Sequence, residues 1–219
     1  MRRFRSLVHV LIVLSGCGLM ACTVAKGQVP AYNGPAEVSQ AQGAQTGVLA
    51  GGCFWGVDAV FKHVKGVQGV VSGFSGGQAS TAHYEVVSTG ETGHAESVKI
   101  IYDPSRVSYA QLLRVFFSVA TDPTQLNRQG PDVGTQYRSV IFYTNDAQKQ
   151  VALAYIDQLT RAHVFSGPIV TQVVPFRAFY EAEAYHQNYL ARHPDNPYIV
   201  YNDLPKLRHL KQEFPELYK

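Results

Sequence analysis

Cys53 is the only cysteine beyond residue 22 in this 219-residue chain. It follows Gly51-Gly52, after the apolar run Val48-Leu49-Ala50. It precedes a helical period in which Phe54, Val57, Val60, Phe61 and Val64 share one face. A thiol at that junction meets the free N–H groups and partial positive charge of a helix N-terminus. Both favour the thiolate, the form that acts as a nucleophile. A buried structural cysteine fits the same local sequence. Phe54 and Trp55, the only tryptophan, come next. Two rings beside a nucleophile would make an apolar pocket, and their spacing fits ordinary core packing as well.

Glu96 is the second outlier. Ala95–Tyr102 alternates as a strand, placing Glu96 on one face with Val98, Ile100 and Tyr102. If that face is inward, burial keeps the carboxyl protonated near neutral pH, and a protonated glutamate is a general acid. If the face is solvated, Glu96 is an ordinary surface charge. Tyr84, Tyr137 and Asp132 lie in polar loops, where tyrosine hydroxyls are able to donate to a neutral substrate oxygen. With 13 tyrosines in the chain, packing is the competing explanation for each. His83 and His94 are not at helical ligand spacing, and no cluster of His, Cys and carboxylates has metal-site spacing, so no metal is expected.

The elements that must position these residues alternate. After the helix that follows Cys53 come a strand over Val67–Phe74 and the Ala95–Tyr102 strand. A helix capped by Ser108 carries Leu112, Leu113, Phe116 and Val119 on its apolar face. A long loop runs over Thr121–Gln136, and such a loop in a compact domain is usually functional or disordered. Ser139–Tyr143 reads as a strand, Asn145 as the cap of a helix to about Arg161, Ile169–Val174 as a strand and Glu181–Ala191 as a helix. The last stretch is irregular, with a turn of helix near Pro205–Glu213. This alternation predicts an α/β or α+β sandwich.

The composition, 46% hydrophobic and 16% charged, excludes a disordered chain. The net charge of +3, with no dense basic block beyond the extreme N-terminus, gives no electrostatic case for nucleic acid. Three cysteines are too few for a disulfide scaffold. Residues 1–22 read as a lipoprotein-type signal: Arg2, Arg3 and Arg5 precede an apolar run over Leu7–Leu14 that is too short for a membrane span of about 20 residues. Leu14-Ser15-Gly16-Cys17 and Leu19-Met20-Ala21-Cys22 both resemble a lipobox, so a lipid anchor is expected at Cys17 or Cys22 and a periplasmic, membrane-anchored location follows. An uncleaved N-terminal anchor is the alternative. Residues 23–46, with Pro30, Asn33, Gly34 and Pro35, read as a flexible linker, leaving 47–219 as the functional domain.

The ordered motifs resemble one family. Gly51-Gly52-Cys53-Phe54-Trp55-Gly56, Gly93-His94-Ala95-Glu96-Ser97-Val98 and Tyr102-Asp103-Pro104 are followed by Asp122-Pro123-Thr124-Gln125 and Asn127-Arg128-Gln129-Gly130. Asp132-Val133-Gly134-Thr135-Gln136-Tyr137-Arg138-Ser139 and Tyr185-His186-Gln187 complete the series. Together they resemble the type A peptide methionine sulfoxide reductases. The resemblance implies a two-layer sandwich on a ferredoxin-like core with long irregular excursions. It implies reduction of the S epimer of methionine sulfoxide, free or in proteins, with one enzyme per epimer. It casts Cys53 as nucleophile, Glu96 as acid, Tyr84 and Tyr137 as hydrogen-bond donors, Phe54 and Trp55 as the seat of the substrate methyl, and Asp132 as a pocket residue. The implied product on Cys53 is a sulfenic acid, with no bound cofactor.

The chain departs from the family in three places. Tyr198–Lys219 holds no cysteine, where many members carry a resolving one. The expected reductant is therefore an external thiol, a thioredoxin-like protein or dithiothreitol in vitro, or else Cys22 reaching back if Cys17 takes the lipid. Thr121 stands where the family often has His, and Phe74 where it often has Tyr. A cysteine hydrolase, a thiol peroxidase and a non-catalytic periplasmic binding lipoprotein are the alternative classes.

Overall fold

A computed structural model describes residues 28–35 and 43–219. The signal segment expected over 1–22, with Cys17 and Cys22, lies outside the described residues. The first strand, β1 (Gln45–Gly51), leads into α1 (Phe54–Lys62), β2 (Val67–Ser75), the short α2 (Tyr84–Val87), β3 (Ala95–Tyr102) and α3 (Tyr109–Val115). A small hairpin of β4 (Arg128–Gln129) and β5 (Asp132–Val133) precedes β6 (Ser139–Tyr143) and α4 (Asp146–Arg161). β7 (Gln172–Pro175), β8 (Tyr180–Glu181), α5 (Tyr189–Arg192) and α6 (Leu204–Glu213) finish the chain.

The sheet order is β7-β6-β1-β3-β2-β8, and only the β6–β7 pair is parallel. Its centre, β6-β1-β3-β2 with α1 and α3 as the connections, is a βαββαβ unit with order 4-1-3-2, the ferredoxin-like arrangement. The strands alternate as pleating demands. Leu49, Val98, Ile100 and Ile141 face the helices and join Phe54, Val57, Val60, Phe61, Leu112, Leu113 and Phe116 in the main core. Val48, Ala50, Ala95, Val140 and Phe142 point to the other face, where Val174, Phe176 and Phe179 cover them. The caps predicted from sequence form: Ser108 Oγ accepts the Gln111 N–H in a full capping box, and Asn145 Oδ1 accepts the Gln148 N–H.

Two expectations are corrected. Residues 28–35, expected as part of a flexible linker, are docked on the body. Arg114 Nε donates to Val29 O at 3.0 Å, Gln158 Nε2 to Ala31 O at 2.8 Å and Tyr155 Oη to Pro30 O. Val29 is buried, and the Tyr32 ring meets the edge of Tyr155. The segment's own composition carried no sign of this, because the donors and the apolar seat belong to α3 and α4. The helix expected over Glu181–Ala191 is instead a strand end, a 3₁₀ turn at Ala184–His186 and the four-residue α5. Asn188, at φ +56°, breaks the helical path between them. The loop Thr121–Gln136, for which the sequence leaves order and disorder both open, is ordered: Gln129 donates to Thr121 Oγ1 at 2.8 Å and accepts the Asp122 N–H at 2.9 Å, tying its middle back to its start.

Candidate active site

The end of β1 and the start of α1 fix the thiol. Gly52 sits at φ +99°, and a Cβ there would lie 2.5 Å from Gln129 Cγ, so the turn needs glycine and packs directly on the tied loop. Cys53 then occupies the N-cap of α1 and is 8% exposed. Its sulfur accepts the Trp55 N–H. Burial, then the charges of Glu96 and Asp203, holds the thiol well above its ordinary value, outweighing the Trp55 N–H and the Lys206 ammonium. The thiolate expected from the helix N-terminus alone is therefore not the resting form. Desolvation of a charge at this depth exceeds the helix-end contribution.

Glu96 lies on the inward face of β3, paired with Phe74 of β2 and 3% exposed. Its Oε2 accepts the Phe54 N–H at 3.0 Å, one residue from the thiol. Burial pushes its carboxyl up to about 8, against the Phe54 N–H and with a small push from Asp132. At neutral pH this favours the protonated carboxyl. With Oε2 engaged as an acceptor, that proton belongs on Oε1.

Tyr84 opens α2, Tyr137 closes a 3₁₀ turn after β5, and Asp132 lies in β5. All three are half-buried. Burial, then the Glu96 charge, raises both tyrosine hydroxyls, so each remains an O–H donor. Both hydroxyls feel Glu96 and Cys53, and Tyr137 also feels Asp132 and Tyr84. The fold thus brings every residue singled out from sequence into one cluster. Phe54 packs into the core against Phe74, 5.8 Å between centroids. Trp55 faces outward from α1, stacked 3.7 Å from Tyr189 and edge-on to Tyr198. Its indole N–H donates to His186 Nδ1 at 3.1 Å.

A model of the family described as peptide methionine sulfoxide reductase matches residues 45–217. A protein of Mesorhizobium japonicum named peptide methionine sulfoxide reductase MsrA 2 is 62% identical over 178 residues, covering 81% of this chain and 91% of its own. An MsrA of Pasteurella multocida is 49% identical, with 80% and 99% covered. Among solved structures, reduced Mxr1 of Saccharomyces cerevisiae aligns with a TM-score of 0.62 at 32% identity, over 70% of this chain and 87% of that one.

The chain is a peptide methionine sulfoxide reductase of type A.

Its reaction is the thiol-dependent reduction of methionine sulfoxide to methionine, which repairs oxidised protein. In this reductase Thr121 serves the loop tie as an acceptor, and Phe74 is buried against Phe54 and stands opposite Glu96 across the β2–β3 pair. Sequence reasoning missed several residues that build the site. Tyr198 donates to Asp132 Oδ2, and Tyr189 supports the Trp55 ring. Asp203, fully buried, pairs with Lys206 at 3.2 Å. A Cβ on Gly56 would lie 2.0 Å from Asp203 Oδ1, so this glycine of the first turn of α1 makes room for the C-terminal pair. His186 and Gln187 carried one signal, their place in the last family-like motif. Tyr198 and Asp203 carried none.

Proposed function

We propose that this reductase acts on the S epimer of methionine sulfoxide through Cys53 and Glu96. The observation that carries the assignment is the buried Glu96, bonded to the backbone beside the thiol in surroundings that favour its protonated form. The sulfoxide methyl rests on Phe54 and Trp55, and its oxygen faces Glu96, Tyr84 and Tyr137. Cys53 sulfur attacks the sulfoxide sulfur as Glu96 gives its proton to the oxygen. The attack forms a sulfur–sulfur bond; the protonated oxygen then passes from the substrate sulfur to Cys53 sulfur as that bond breaks, so methionine leaves with the bond's electron pair and Cys53 is left as a sulfenic acid. The thiol proton returns to the Glu96 carboxylate. One thiol and one sulfoxide thus become one sulfenic acid and one sulfide. Residues 54–219 hold no cysteine to resolve it, so an external thiol closes the cycle, or Cys22 reaching back if Cys17 takes the lipid. A thioredoxin-like protein fits that role.

Stereoselectivity follows from three fixed directions: the nucleophile, the methyl wall and the oxygen donors. The opposite epimer would lay its oxygen on the indole and its methyl against the acid. Separated epimers with dithiothreitol test this directly. We expect turnover of the S epimer alone; equal turnover of both, or of neither by folded protein with a titratable Cys53, overturns it.

The N-terminal reading belongs to the same proposal: export, removal of the signal and a lipid on Cys17 or Cys22. Arg2, Arg3, Arg5 and the two small-residue contexts support it. Since Gln28 already lies on the body, a lipidated Cys17 leaves a tether of at most about 40 Å when fully extended. Labelled palmitate should enter the wild-type chain and be lost when both cysteines are replaced; a wild-type chain that takes up no label ends this part.

A further inference from the structure

His186 stands where the two walls of the site meet. It is 1% exposed, and its ring lies 4.2 Å from that of Tyr84 and 5.1 Å from that of Phe54. Its Nδ1 accepts the Trp55 indole N–H, so Nδ1 carries no proton. Burial lowers the ring's affinity for a second proton and keeps it neutral. The one proton of the ring is therefore on Nε2. That Nε2–H is a buried donor without a partner.

A second buried orphan completes it. Glu183 Oε1 accepts the Tyr84 N–H at 3.0 Å, while Glu183 Oε2 is buried with no donor. Glu183 caps the 3₁₀ turn that ends in His186, its carbonyl accepts the His186 N–H at 2.9 Å, and its charge acts on the His186 ring. One group lacks an acceptor and its neighbour lacks a donor. Buried polar groups in native proteins are nearly always matched, by each other or through an ordered water.

We propose that Glu183 and His186 are positioning residues of the reductase: His186 Nε2–H is held by Glu183 Oε2 through one bridging water, closing a chain Trp55–His186–Glu183–Tyr84. The chain locks the wall that seats the methyl to the residue that donates to the oxygen. It rests on the reading of Trp55 and Tyr84 as substrate contacts. Glu183 also selects the tautomer. Without an acceptor at Nε2 the proton moves freely to Nδ1, where it opposes the indole N–H, donor against donor. The indole N–H of the lone tryptophan would then lose its acceptor.

Because Trp55 is the only tryptophan, its emission in the full chain reads the chain of bonds without any turnover. Glu183→Gln keeps an acceptor for the Tyr84 N–H but puts an amide N–H₂ in place of the second one. We expect Glu183→Gln and His186→Phe to shift the emission in the same direction. Both should lower kcat/KM for the S epimer about tenfold, mainly through KM, as expected for one lost orienting hydrogen bond. The alkylation rate of Cys53 should stay unchanged. His186→Gln, which restores an acceptor for the indole, should recover part of both signals. Wild-type emission and KM in Glu183→Gln, with only His186→Phe affected, would reduce His186 to a packing residue and overturn the proposal. Absence of wild-type turnover would instead strike the catalytic reading, leaving the emission test intact.

Discussion

Cys53→Ser should leave a folded chain that reduces neither methionine sulfoxide epimer above the rate of the thiol reagent alone. The expected loss is at least about 10⁴-fold in kcat, the scale on which removing a covalent nucleophile acts. The position makes this a clean experiment. Cys53 is the N-cap of α1, and serine is a better N-cap than cysteine, so the variant should keep or slightly raise its melting temperature. A serine oxygen is less nucleophilic toward sulfur, and its hydroxyl is far harder to ionise in a site that already holds a thiol above its ordinary value. The complementary measurement uses the wild-type body with Cys17 and Cys22 replaced and no reducing thiol. One methionine should be released per chain, with one oxygen gained at Cys53, and the reaction should then stop. Multiple turnovers without thiol, or a serine variant with normal rates, would break the mechanism.

The parts of the site legible in the sequence are those that short-range pattern controls. The glycine pair before Cys53, the period of α1 and the alternation of β3 singled out the thiol and set Glu96 on one face with Val98, Ile100 and Tyr102; that this face is inward and meets the start of α1 is a property of the fold. The caps at Ser108 and Asn145 were legible for the same reason, since each needs only the residues three positions on. What stayed hidden depends on side chains meeting across long sequence distances. Gln129 fixes the loop by reaching back to Thr121, and nothing local marks it out. Tyr198 became a partner of Asp132 across 66 residues, in a chain with twelve other tyrosines. Glu181–Ala191 carries strong helix formers, yet tertiary contacts override them: His186 and Tyr189 are drawn onto Trp55, and Asn188 takes the left-handed conformation that lets both reach it. The protonation of Cys53 was misjudged because the helix end is a local feature, while burial is a property of the whole fold.

Glu96→Gln separates a proton donor from a hydrogen-bond acceptor, and it should cost about 10²–10⁴ in turnover, the usual share of a general acid. The amide oxygen still accepts the Phe54 N–H, so the local backbone is preserved. The pH dependence decides between the roles. Glu96 ionises at about 8 in the fold, above its ordinary 4.5, so the native chain holds this proton more tightly than the unfolded one. Its contribution to stability is complete below about 4.5 and is lost as pH rises through about 8, a difference on the order of a few kcal/mol. Wild-type kcat/KM should therefore fall on the alkaline side near 8 as the acid loses its proton, whereas stability should fall between about 4.5 and about 8 and level off above that. Glutamine cannot ionise. The variant should lack that alkaline limb and gain stability relative to wild type as pH rises from about 4.5 to about 8, while being far less active throughout. An inactive variant that simply unfolded would lose stability at every pH. A variant with normal turnover would show that the tyrosine hydroxyls suffice for the oxygen, and Glu96 would then be only the acceptor that seats the start of α1.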